Sequence, residues 1–202
     1  MGSVRGPGTS DRILDIAERL VQMRGFNAFS YADVAKAVGI RKASLHYHFA
    51  TKADLGLALV ARYRQAFLDA LRAIEADSEN SMERLERYGD LYGSVLRKKR
   101  MCMCGMLATD AATLPRAMRE SVAEFFAENV AWLARVLEQG KKRNELRFEG
   151  TAGSMASFFV SSLEGAMLVA HGSGSYENFD AAARHLLATV RRDGVKSKRR
   201  AG

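Results

Sequence analysis

"SYADVAKAVGIRKASLHYHFATKADL", residues 30–55, is the most informative stretch of this 202-residue chain. Two short apolar-patterned segments flank Gly39, and between Arg41 and Lys52 lie three basic residues, two histidines, a tyrosine and two hydroxyls. Ser30 can cap a helix that turns Val34, Ala35 and Val38 inward; Gly39 stops it, and a further helix covers roughly 41–49. Helix, glycine-containing turn and second helix describe a helix-turn-helix, whose second helix enters the DNA major groove. In that second helix Leu45 and Phe49 point back to a core, leaving Arg41, Lys42, Ser44, His46, Tyr47 and His48 outward. Such side chains suit guanine edges, phosphates and thymine methyls. Lys52, at the start of the following helix beside free backbone N–H groups, suits a phosphate.

Working outward, Thr9, Ser10 and Asp11 offer caps for a first helix with Ile13, Ile16, Ala17, Leu20 and Val21 inward, closed by Gly25. Thr51 can cap a long fourth helix, and residues 76–81 read as a turn before a fifth helix that stops at the basic run 97–100. A short helix follows through residues 104–112, then a long one with Pro115 in its first turn and a stop near Gly140. Two more cover about 151–171 and 176–192. No strand-like alternation is visible, and with only two prolines in the chain the expectation is all-α: nine helices in two domains. The domains are a head at 1–52 and a body at 53–192, with a basic tail at 193–202.

Of the net charge of +8, residues 1–52 carry +4 and residues 191–202 carry +5, which leaves the body at −1. A basic head and tail on a neutral body point to one cationic surface. Cys102 and Cys104 are too close for an ordinary loop-closing disulfide, and the N-terminus has no signal-peptide pattern, so the chain reads as cytoplasmic and reduced. The apolar run Ser154–Ala170 contains Glu164 and several serines, which favours a buried helix over a membrane span. His46 and His48, two apart on a helix, lie on nearly opposite faces and cannot chelate one metal together. No catalytic triad, paired-carboxylate arrangement or phosphate-cradling glycine loop can be argued from spacing, so neither cofactor nor enzyme activity is expected.

Residues 9–55 closely resemble the DNA-binding domain of the TetR family of bacterial transcriptional repressors. The matching positions are Ile13, Ala17, Gly25-Phe26, Asp33-Val34-Ala35, Gly39-Ile40, Ser44-Leu45, Tyr47, Phe49 and Lys52. The resemblance implies an all-helical homodimer with a ligand pocket in the body, released from operator DNA when that pocket fills. It also implies DNA contacts by Arg41, Lys42, Ser44, His46, Tyr47 and His48 and a phosphate contact by Lys52. Ala43, His46 and Phe29 stand where the family commonly has glycine, tyrosine and often threonine, so the operator sequence does not follow.

Helices 151–171 and 176–192 are the expected dimer-forming pair, which would set two recognition helices about 35 Å apart. Residues 100–115 hold three methionines and two cysteines within seven positions, and Met-rich surfaces adapt to varied apolar shapes. A small hydrophobic effector is therefore expected against Tyr88, Tyr92, Met103, Met106, Phe125, Phe126 and Phe159. The segment from Cys102 to Ala108 also resembles a TetR subgroup with a C-x-x-G-x-x-A pattern, in some members of which the cysteine senses electrophiles or oxidants. Cys102 and Cys104 are thus candidate thiol sensors, provided the basic residues 97–100 lower their pKa. A helical carrier or enzyme with an incidental basic head is the remaining alternative.

Overall fold

Capping side chains set most helix starts in the computed structural model, which describes residues 8–192. The helices are α1 (Thr9–Arg24), α2 (Tyr31–Val38), α3 (Lys42–His48), α4 (Lys52–Asp77), α5 (Ser81–Arg97), α6 (Met103–Thr109), α7 (Arg116–Lys142), α8 (Ala152–Ser173) and α9 (Tyr176–Ala188). Ser30 and Asp33 exchange hydrogen bonds across the first turn of α2, and Thr51 and Asp54 do the same for α4, so two orphan N–H groups are satisfied at each start. The cap of α1 is not one of the expected side chains. Gly8 takes that position and donates its N–H to Asp11, which lies inside the first turn. Gly25 and Gly39 end α1 and α2 at φ 85° and 78°, a region that non-glycine residues avoid.

Ile13, Ala17, Val21, Val34, Val38 and Leu45 form the interior of the head, α1–α3. α4 runs from the head into the body. Arg62 ties it to Asp15 and Glu18 of α1, and Arg64 ties it to Glu124 and Glu128 of α7. In the body, α8 lies between α7 and α9. Its inner side, with Phe159, Leu163 and Met167, is buried.

Two helix ends differ from expectation. α7 passes Gly140 and ends at Lys142, because that glycine is a contact point: a Cβ there would overlap Leu146 and Ser81. α9 ends at Ala188, since the chain beyond it turns and pairs Arg191 with Leu146 in an isolated bridge, with the Arg147 N–H donating to Val190 O. The expected buried helix at 154–170 is also only half buried. Phe158, Leu168 and Val169 are 49%, 56% and 60% exposed, so α8 presents an apolar outer face. Residues 193–202, the expected basic tail, lie outside the described residues.

Candidate nucleic-acid interface and effector cavity

α3 is held to the head by one fully buried side chain, Leu45. The rest of the helix is solvent-facing: Lys42, Ser44, His46, Tyr47 and His48 are exposed, as is Arg41 at the N-cap, and Tyr47 is 88% exposed. An exposed tyrosine between two exposed histidines buries nothing within the chain. Tyr31 fixes the exit of α3, its hydroxyl donating to the carbonyls of Phe49 and Thr51, 2.9 and 2.5 Å away. Burial, then the Asp54 charge, raises the Tyr31 pKa to about 12, so it stays a donor at every physiological pH. His46 leans on the Tyr31 ring at 4.7 Å, with Nδ1 3.1 Å from the Ala50 carbonyl.

Where head meets body lies a cavity of about 580 Å³. α1 supplies Asp15, Glu18 and Arg19; α4 supplies Arg62, Tyr63, Ala66, Phe67 and Ala70; α5 supplies Leu91, Tyr92, Ser94 and Val95; Arg100, Cys102 and Met167 complete the wall. The wall is thus aromatic and aliphatic within and charged where α1 crosses it. A cavity of this size suits a small organic molecule.

Residues 13–59 match the model for bacterial regulatory proteins of the tetR family, and residues 81–186 match the tetracyclin repressor-like C-terminal domain. A TetR-family transcriptional regulator from Agrobacterium tumefaciens is 34% identical and superposes with a TM-score of 0.88 over 91% of this chain and 98% of that one. The chain belongs to the TetR family. A TetR regulator from Legionella pneumophila is 30% identical, with a TM-score of 0.85 over 93% of this chain and 100% of that one. The HTH-type transcriptional repressor NemR of Escherichia coli is 25% identical over 185 residues, 88% of this chain and 92% of NemR. This TetR-family chain is accordingly a DNA-binding transcriptional regulator, not an enzyme, with an N-terminal helix-turn-helix and a helical C-terminal domain.

Of the side chains expected at DNA, six face solvent and one does not. The Lys52 ammonium donates to the Phe29 carbonyl at 2.6 Å and sits 4.6 and 4.4 Å from the ring centres of Phe26 and Phe29. It clamps the α1–α2 turn, and phenylalanine at position 29 supplies one of the two rings that draw it in. Of the expected effector contacts, Tyr92 lines the cavity. Tyr88, Met103, Phe125 and Phe159 are buried core, with the Tyr88 hydroxyl donating to Asn129. Met106 and Phe126 are partly buried against that core and also lie off the wall. The wall also holds Arg62, Tyr63, Phe67 and Val95, which composition did not single out for a pocket, and Arg100, which the sequence marked only as part of the basic run beside Cys102.

Cys102 borders the cavity yet is only 2% exposed; it caps α6, accepting from the Gly105 N–H at 3.4 Å, with the Tyr63 hydroxyl 3.7 Å from Sγ. Burial pushes its pKa well up, and the Glu164 charge acts in the same direction. Burial also raises Cys104. The expected lowering by residues 97–100 is therefore reversed: the acid, not the basic run, is the charge beside the thiol. Burial lifts Glu164 itself to about 7, and its Oε1 has no hydrogen-bond partner. Its Oε2 fills the space that a Cβ at Gly105 would need.

The far end of α6 grips the head. Asp110 Oδ2 accepts from the Phe26 N–H at 2.7 Å and the Asn27 N–H at 3.3 Å; Asn27 Nδ2 donates to Asp110 Oδ1 at 3.0 Å and to Thr113 Oγ1 at 2.7 Å. The missing side chain of Gly25 permits this approach, since a Cβ there would lie 3.2 Å from Asp110 Oδ2.

Proposed function

We propose that the chain is a repressor that binds a palindromic operator as a homodimer and is released by a small, largely apolar effector. The head, residues 1–52, reads DNA; the body, 53–192, senses and dimerises. The observation that carries this is α3: six chemically apt side chains exposed on or at the cap of a helix held by a single buried residue. The apolar outer face of α8 and the partly exposed Tyr176 at the start of α9 support a partner subunit on that side. Effector release requires a ligand that favours a DNA-incompetent arrangement, with α4 tilting as the head moves.

Thiol sensing through Cys102 is the second reading, favoured by its position in the cavity wall. Burial and Glu164 hold the thiol protonated, so this reading needs an opening step before the sulfur reacts. The test is selection of fragments from the source genome on the purified chain, followed by titrations at two salt concentrations with and without an alkylating reagent. Recovery of a palindrome bound far above random DNA is expected. Only weak, salt-sensitive, sequence-blind binding would overturn the operator reading, and loss of binding on alkylation would move the sensor to Cys102.

A further inference from the structure

We infer that the effector carries a carboxylate, or an anionic group of like shape, on an apolar frame, and that it acts by taking Arg62 away from α1. The inference deepens the repressor reading and rests on it for the release step alone.

The cavity wall holds three guanidinium groups, Arg19, Arg62 and Arg100, against two carboxylates, Asp15 and Glu18. Both carboxylates are already matched by Arg62, whose two terminal nitrogens lie 2.7 Å from Asp15 and 2.7 Å from Glu18. Among the described residues no ion pair holds Arg19 or Arg100, so although one arginine shared by two carboxylates leaves that trio at −1, the wall as a whole is net positive, with its unpaired cations at Arg19 and Arg100. Glu164 is not part of that wall and lies beside Cys102. A cationic guest would have to displace Arg62 from its carboxylates and would still face Arg19 and Arg100, and a neutral one would leave those two unused. An acid can enter with its apolar part against Tyr63, Phe67, Val95 and Met167 and its charge toward Arg100 and Arg62.

The same geometry gives the ligand its leverage. Arg62 is on α4, while Asp15 and Glu18 are on α1, so this fork is a direct tie between the head's first helix and the helix that carries it. A carboxylate that takes the two terminal nitrogens of Arg62 competes for them with Asp15 and Glu18. It therefore binds the untied arrangement more tightly than the tied one, which is the differential affinity that release demands. A matched amide has the shape without the charge and lacks that preference.

The test uses the full chain and a panel of octanoate, decanoate, phenylbutyrate and naphthaleneacetate, each beside its primary amide, titrated by calorimetry. At least one acid should bind about tenfold to a hundredfold tighter than its amide, the range set by a charge-assisted hydrogen bond. Arg100→Gln should remove that preference while leaving amide affinity in place, which a merely structural role would not do. Acids binding no better than amides, or an acid preference untouched by both Arg100→Gln and Arg62→Gln, would overturn the proposal. The acid that binds should then dissociate the selected operator complex, and its amide should not. An acid that binds through the arginines yet leaves that complex intact overturns the release step. A chain with no specific operator fails the repressor reading instead, and calorimetry still decides the ligand class.

Discussion

Replacing Asp110 by alanine removes the carboxylate that holds the α1–α2 turn against the body. The mutation deletes one short bond to a partly buried amide, Phe26 N–H at 2.7 Å, and two exposed ones from Asn27 at 3.3 and 3.0 Å. A hydrogen bond to a charged group contributes about 1.5–3 kcal/mol, and the exposed pair adds little because water replaces the acceptor. The expected cost is about 2 kcal/mol. For a chain of this length that lowers the melting midpoint by roughly 4–8 °C. Hydrogen exchange reads the same quantity at the turn itself: the Phe26 amide should exchange about thirty-fold faster. Asp110→Asn, which keeps an acceptor oxygen, should fall between wild type and alanine. An alanine variant whose Phe26 amide exchanges at the wild-type rate, with an unmoved melting curve, would refute the view that this carboxylate holds the turn.

Tyr47→Ala should leave the melting temperature unchanged, because the ring is 88% exposed, yet weaken operator binding by about 1–3 kcal/mol and random-DNA binding hardly at all, as read by paired titrations. Glu164 gives a pH signature. Its pKa rises from 4.5 in the unfolded chain to about 7 in the folded one, so between those values the folded chain keeps a proton that the unfolded chain has lost. Stability should therefore fall as pH rises through that window, by roughly 3 kcal/mol in all, and denaturant titrations of Glu164→Gln should show the slope removed. Phe158→Asp with Val169→Asp, both on the exposed side of α8, should convert a dimer to monomer in analytical ultracentrifugation without loss of helical content.

Local chemistry made most of the helix boundaries legible. Ser30 with Asp33, Thr51 with Asp54, and the glycines at 25 and 39 act within a turn of themselves, so their effect is written in adjacent letters. Apart from the α1 cap, which is off by a single residue, the failures involve distance along the chain. Lys52 turns inward because Phe26 and Phe29, more than twenty residues earlier, surround its ammonium, and no local pattern announces that. α9 stops early because its continuation bonds to the segment after α7. The cavity was the hardest case. Met103, Phe125 and Phe159 are the sort of side chain that lines pockets, and equally the sort that fills cores; only the packing of α1, α4 and α5 separates the two. Charge beside Cys102 was misjudged for the same reason, since the acid on α8 is sixty-two positions away and the basic run is adjacent.

The recognition helix touches the interior through Leu45 alone, and its other six positions are answerable to nothing inside the chain except the light contacts of His46 with Tyr31 and Ala50. If these positions read DNA as proposed, target choice and folding are written in separate letters. On the proposed operator reading, a gene copy can rewrite those positions and acquire a new operator while Leu45, the cavity and the apolar outer face of α8 persist unchanged. Inheritance of what is sensed and divergence of what is controlled are, in this architecture, independent events.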